Sequence, residues 1–265
     1  MEINSKKEKI SADKKGDAAQ RTSPSSIGKK SSRAVKSIPP SSPGKKPPSA
    51  ALRRRAAAIS ERLKEIYPQA SCALLFGGEP WKLLVMGRLS AQCTDKRVNQ
   101  VSELLFERFP TAASLANGDI SEIEELVRPC GLFHVKAADI KAECKMLVEN
   151  YGGVLPNSME ELLKFPGVGR KIANLLIGDI FHGPGIVADT HCIRICGRLG
   201  MYPEDKRDPL LTERVMSALI PPDEQSDFCH RIVTFGREYC KAQSPLCGEC
   251  PLSDLCKAFK ASDKK

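Results

Sequence analysis

Aromatic residues are scarce in this chain: Trp 1, Tyr 4 and Phe 9 make up 5% of 265 residues. Strands favour β-branched and aromatic side chains, so the shortage argues against a sandwich or barrel and for helix. No apolar run approaches the ~20 residues that a membrane span requires. The N-terminus, Met1 to Lys9, has no apolar stretch of the kind a secretory signal needs, so neither a membrane nor a secreted protein is expected. An odd number of cysteines, 11, with no signal argues against a disulfide framework. No internal repeat of solenoid length is present.

What the chain does carry is positive charge, 41 Lys+Arg against 32 Asp+Glu, which invites a polyanionic partner. The charge is unevenly placed. Residues 1–50 hold 12 basic and 4 acidic side chains, +8 of the total +9, leaving +1 for residues 51–265. That first segment is rich in Ser, Pro and Lys and has no aromatic, so it is expected to be a disordered cationic tail. It serves either as a plain solvated tail or as an arm adding non-specific phosphate contacts.

From Ala51 onward the apolar pattern is helical. Val98, Val101, Leu105 and Phe109 share a face, after a Thr94 or Asp95 cap and before Pro110. Ala137, Ile140, Cys144 and Leu147 repeat the spacing, as do Phe228, Ile232, Phe235 and Tyr239. Strand alternation is absent, and the expected fold class is all-α.

Four cysteines crowd into 17 residues as Cys240-x6-Cys247-x2-Cys250-x5-Cys256. Four soft thiolates at this spacing suit zinc or an iron–sulfur cluster, and the spacing alone leaves both open. Cys192 and Cys196, four apart, are expected in the core rather than at a second metal.

The segment from Leu162 to Ala173, LLKFPGVGRKIA, predicts a helical hairpin. Ser158 and Glu161 form a capping box that starts a short helix. Pro166-Gly167-Val168-Gly169 ends it, and a second helix runs from Arg170 to Ile180 with Ile172, Leu175, Leu176 and Ile180 inward. Gly167 and Gly169 expose backbone N–H groups at a helix N-terminus, where a phosphate binds through the backbone, without reading sequence. The spacing is not that of a Walker A loop. Lys171 stands in the first turn beside Arg170. The helix N-terminus and the neighbouring cation both disfavour an ammonium, so Lys171 is either a nucleophile or a phosphate-binding point charge. Eighteen residues on, Asp189 follows the apolar Ile186-Val187-Ala188 and is either a helix N-cap or a partly desolvated carboxylate returning toward Lys171.

The hairpin, the lysine, the aspartate and the cysteine loop resemble, in this order, the endonuclease III family of helix–hairpin–helix DNA glycosylases. LSAQCTD (Leu89 to Asp95) and GLFHVKA (Gly131 to Ala137) resemble two further family motifs, so the likeness spans about residues 51–258. The resemblance implies a 4Fe–4S cluster on Cys240, Cys247, Cys250 and Cys256. It implies Lys171 as the Schiff-base lysine and Asp189 as the catalytic aspartate. It implies Gln92 as the residue filling the space of an extruded base and Leu132 as a wedge; the plain alternatives are a helix-terminal polar residue and a core leucine. Gly167, Gly169 and Arg170 would contact DNA.

The implied activity is that of a base-excision repair glycosylase and abasic-site lyase, acting on oxidised pyrimidines or abasic sites in double-stranded DNA. A monomer in a bacterial cytoplasm, bound to the nucleoid, is expected, or a nuclear or mitochondrial protein in a eukaryote. A mismatch-specific glycosylase of the same fold is disfavoured by Lys171 and, for the adenine type, by a chain ending nine residues after Cys256. A non-catalytic iron–sulfur DNA-binding module is the other alternative. The expected layout is a six-helix domain at 76–183 holding the hairpin, and a cluster domain from 51–75 and 184–265. Two departures stand out. The loop 241–246 has one basic residue, Lys241, where the family is more basic, so phosphate contact would fall to Lys241, Arg237 and Lys257 or to the tail. Phe165 replaces a common leucine.

Overall fold

A computed structural model describes residues 48–262. The expected cationic tail, residues 1–50, lies almost wholly outside the described residues. Among the described residues there are helices and loops and no strand, and no helix is long and apolar enough to cross a membrane.

Helix α1 (Ala50–Ile66) starts at Ser49, whose hydroxyl accepts from the Leu52 N–H, and buries Ala56, Ile59, Ser60 and Leu63 on one face. Helix α2 (Pro80–Leu89) is buried on nearly every side and serves as a central post. Against it pack α3 (Asp95–Arg108) and α6 (Phe133–Tyr151), and α4 (Ala112–Asn117) and α5 (Ile120–Val127) pack in turn on α6. The expected face of α3 is buried, and Thr94 is its cap, accepting from the Arg97 N–H. The expected face of α6 is buried as well, and Gly152, at φ 60°, ends that helix in the left-handed conformation that glycine adopts cheaply.

The hairpin follows as α7 (Met159–Leu162) and α8 (Arg170–Phe181). Two local expectations need correction. Ser158 is the N-cap of α7, but its side chain makes no capping bond. Glu161 instead accepts from Tyr151 Oη at 2.8 Å and from Lys164, so these two partners hold the carboxylate in place of the capping box. In α8 the buried set is Ala173, Asn174, Leu176, Ile177 and Gly178, while Ile172, Leu175 and Ile180 are half-buried. The helix packs on both sides, and its deepest stripe is set by those neighbours.

Helices α9 (Thr190–Arg198), α10 (Pro209–Leu219), α11 (Gln225–Glu238) and α12 (Lys257–Ser262) complete the chain. Cys192, Ile195 and Cys196 of α9 and Phe228, Ile232 and Phe235 of α11 are all buried, so Cys192 and Cys196 are core residues as expected.

Buried apolar residues form two cores. One runs from Leu74 to Ile177. The other joins Ala56, Ile59 and Leu63 to residues between Ile186 and Leu252. A fully buried Leu in either contributes about 1.5–3 kcal/mol relative to an exposed one. The chain passes between them at 68–71 and at 182–185. Helices α8 and α11 meet where a Cβ on Gly178 would lie 2.7 Å from Ser226 Oγ, so only glycine allows that approach. Ser226 Oγ and His230 Nε2 both bond Asp179 Oδ1 there, at 3.0 and 2.7 Å.

Candidate functional site

The hairpin turn is built on buried anchors. Phe165 stacks on Tyr151 with centroids 5.2 Å apart, and both Phe165 and Val168 are buried, so the leucine-to-phenylalanine change is absorbed by a ring contact. Gly167 has φ 71°, and a Cβ there would lie 2.5 Å from Arg88 Nε and 2.8 Å from Asp139 Oδ2. Arg88 and Asp139 are themselves paired at 2.6 Å, so the turn rests on an ion pair that leaves room for glycine alone. Gly169 is the N-cap of α8; no side chain caps the helix, and a Cβ on Gly169 would meet nothing within 4 Å. The first-turn amides are thus open to an external anion.

Lys171 is exposed in that first turn and makes no hydrogen bond or ion pair among the described residues. Arg170 beside it is held: its Nε donates to Glu213 Oε2 at 2.8 Å and Nη2 donates to Oε1, a bidentate pair between α8 and α10.

Asp189 is the N-cap of α9, its Oδ1 accepting from the Cys192 N–H at 2.7 Å. The cap reading and the return toward Lys171 turn out to be compatible. Asn174, buried and one turn after Lys171 on the same helical face, donates from Nδ2 to the carbonyl of Ile186 at 3.0 Å. A Cβ on Gly185 would sit 2.5 Å from the Asn174 carbonyl oxygen, so backbone touches backbone at this point. From Asn174 back to Lys171 is about 4.5 Å of helical rise. From Ile186 to Asp189 is at most about 10 Å of chain, shortened by a tight turn in which the Asp189 N–H donates to the Val187 carbonyl at 2.8 Å. The sequence reading missed Asn174, whose only sequence signal is a polar residue on an otherwise apolar stripe.

His191, two residues after Asp189, is half-buried, with Nδ1 3.2 Å from Arg194 Nη2. Burial pulls its imidazole below the usual histidine range, with the Asp189 carboxylate working the other way, so the ring is neutral near pH 7.

Gln92 and Leu132 occupy two loops, after α2 and before α6. Both are exposed, and both hold left-handed backbone, φ 53° and 49°. Leu132 is 58% exposed, which overturns the alternative of a core leucine.

The cysteine loop is gripped from two helices. Arg194 donates to the Cys240 carbonyl at 2.8 and 3.2 Å. Arg198 donates to the Lys241 and Ala242 carbonyls at 2.8 and 3.0 Å and lies 3.4 Å from Cys240 Sγ. Arg62 of α1 donates to the Pro251 carbonyl at 2.9 Å, and Arg55 to that of Leu255 at 3.1 Å. These four arginines gave no sequence signal, since their acceptors lie in loops distant along the chain. Of the basic residues proposed for phosphate contact, Arg237 pairs with Asp95.

Cys240, Cys247, Cys250 and Cys256 are all free thiols and line one cavity of about 150 Å³, largely apolar, with Leu199, Phe235 and Leu246 among its walls. Burial pushes the Cys250 and Cys256 thiols up, a penalty that binding iron as thiolates removes. Among the described residues, no three His, Cys, Asp or Glu side chains converge on one point that could hold a metal ion. Four soft thiol donors around one largely apolar cavity are a donor set that fits an iron–sulfur cluster.

Comparison with known proteins agrees with this geometry. The model of the HhH-GPD superfamily base excision DNA repair protein matches residues 85–222, and that of the iron-sulfur binding domain of endonuclease III matches residues 240–256. Endonuclease III of Synechocystis sp. is 44% identical over 80% of this chain and 96% of its own. A structure of a non-covalent endonuclease III–DNA complex superposes with a TM-score of 0.75 at 38% identity, covering 80% of this chain and 99% of that one. A trapped endonuclease III–DNA covalent intermediate matches with the same TM-score and identity, over 80% and 98%. The chain therefore belongs to the endonuclease III family of HhH-GPD base-excision DNA repair proteins, which carry a 4Fe–4S cluster.

Proposed function

We propose that this base-excision DNA glycosylase and abasic-site lyase acts on oxidised pyrimidines in duplex DNA, with Lys171 as nucleophile and Asp189 as its partner. The observation that carries the pairing is the Asn174–Ile186 bond, which ties the lysine helix to the aspartate turn. The damaged nucleotide is extruded at a cost of a few kcal/mol. Leu132 enters the stack and Gln92 fills the vacated space, each presented on an exposed left-handed residue.

The Lys171 Nζ forms a bond to the sugar C1′ as the C1′–N bond breaks, and the base leaves with the bonding pair and a proton. Asp189 stabilises the positive charge developing on the sugar and assists the proton movements. Its Oδ1 is fixed by the Cys192 N–H, while Oδ2 makes no hydrogen bond among the described residues. Opening of the sugar leaves an imine. Loss of a C2′ proton then expels the 3′ phosphate and nicks the strand. Backbone amides at Gly167 and Gly169, with Arg170, anchor phosphates.

The iron–sulfur cluster, held by Cys240, Cys247, Cys250 and Cys256, supplies structural or redox support near the DNA face and takes no part in these steps. The two cores support a division into a six-helix domain at 76–183 and a cluster domain from 51–75 and 184–265. One chain suffices for one duplex, since both members of the reaction pair come from it. The bacterial relatives support a place at the nucleoid in a bacterial cytoplasm.

Incubation with a duplex holding one oxidised pyrimidine, without added metal, tests the function. Base release with strand scission is the expected result. Binding alone would indicate a non-catalytic module, and release of a normal base only from a parallel duplex holding a mismatch would indicate a mismatch-specific enzyme; either contradicts the proposal.

A further inference from the structure

Lys136 is 0% exposed, an unusual place for a lysine. Its Nζ donates to three backbone carbonyls: Leu89 at 2.8 Å, Ala91 at 2.7 Å and Cys130 at 2.8 Å. All three donors of the ammonium are used. Leu89 and Ala91 precede Gln92, and Cys130 lies two residues before Leu132. Within each loop the backbone bonds are local: Ala91 to Arg88, Cys93 to Ser90, Gly131 to Arg128. Apart from the Cys130 thiol lying against Cys93, Lys136 is the polar link between the two loops among the described residues.

Gln92 and Leu132 both sit at positive φ, a strained conformation for a non-glycine residue that persists only where the surroundings over-determine it. The carbonyls bound to Lys136 flank both strained positions. Burial disfavours the charge of this ammonium, and the three carbonyl dipoles offset that cost.

We propose that Lys136 is a positioning residue for nucleotide extrusion: a buried ammonium that clamps the Gln92 and Leu132 loops together, so that plug and wedge enter the duplex as one preformed unit. The inference rests on the roles proposed above for Gln92 and Leu132. A merely structural lysine would affect every activity alike, whereas a clamp acts only through those two side chains.

The test compares Lys136→Met, the double variant Gln92→Ala/Leu132→Ala, and the triple variant, each loaded with its cluster. Extrusion is followed by the fluorescence of a 2-aminopurine opposite the lesion, and base release by single turnover on the same duplex. Lys136→Met is expected to slow extrusion about tenfold or more, as small misplacements of binding groups do. In the triple variant it is expected to add less than about a further twofold, because the groups it positions are gone.

A full multiplicative loss in the triple variant, or no loss in Lys136→Met alone, overturns the clamp. No loss in the double variant overturns instead the roles of Gln92 and Leu132, whatever Lys136 does. Should the methionine variant fail to fold, Lys136→Gln, which keeps donors for part of the carbonyl set, is read in the same way with an intermediate loss expected.

Discussion

Asn174 donates its side-chain amide to the carbonyl of Ile186 at 3.0 Å, and both groups are buried. Three residues from one end of this bond is Lys171; three from the other is Asp189. The bond makes the lysine helix and the aspartate turn one unit across the passage between the two cores. Removing it with Asn174→Ala strands a buried carbonyl, at a cost of about 1–3 kcal/mol in stability. Single-turnover base excision is expected to fall about tenfold or more, with DNA affinity within about twofold, because the phosphate contacts lie elsewhere. A rate unchanged once unfolding is accounted for would separate Asp189 from Lys171.

Arg170 is spoken for in the free protein. Glu213 holds it in a bidentate pair, with the carboxylate side chain 13% exposed and the guanidinium 46%. A half-exposed pair of this kind contributes about 0.2–1 kcal/mol. DNA must therefore draw Arg170 away from Glu213, or bind without it. Glu213→Gln frees the guanidinium and lowers local negative charge. The expected result is binding about two- to fivefold tighter at low salt, with a log–log salt slope steeper by about 0.9 for one added phosphate contact. Fluorescence anisotropy across a salt series measures both, and an unchanged slope would leave Arg170 outside the phosphate grip.

How much of this was legible in the sequence depends on what a residue touches. The faces of α3, α6 and α11 were readable because each buries apolar side chains at helical spacing, and that spacing is local. The cysteine loop was readable because its four ligands lie within 17 residues. Lys136 and Asn174 were not, although both lie on inward faces. Their burial is offset by carbonyls 6 to 47 residues away, and a carbonyl acceptor, present on every residue, has no sequence signature. The same holds for Arg194 and Arg198, whose acceptors lie in the cysteine loop. The capping box at Ser158 failed for the opposite reason, since a local motif lost its glutamate to Tyr151 and Lys164.

Glu143 lies fully buried on α6, and neither of its oxygens has a hydrogen-bond partner among the described residues. Burial holds its carboxyl well above the ordinary range, Asp139 adds to this, and Arg88 opposes it. The folded state thus keeps a proton that the unfolded state releases near pH 4.3. Stability from this group is greatest below that value and falls as pH rises toward the raised folded value. Glu143→Gln removes the dependence. Unfolding in urea is expected to show a gain of about 1–3 kcal/mol at pH 8 and little gain near pH 4.5. An equal effect at both pH values would mean that the carboxyl is ionised in the fold.

Lys171 is exposed in the first turn of the hairpin helix, and its side chain has no partner among the described residues. Borohydride added during reaction with an abasic-site duplex reduces an imine to a stable adduct that gel electrophoresis resolves. Full-length protein is expected to be trapped on DNA. Lys171→Gln, still loaded with its cluster and still binding the duplex, is expected to lose both the adduct and strand scission. A trapped adduct and undiminished scission from Lys171→Gln would contradict the assignment and place the nucleophile elsewhere.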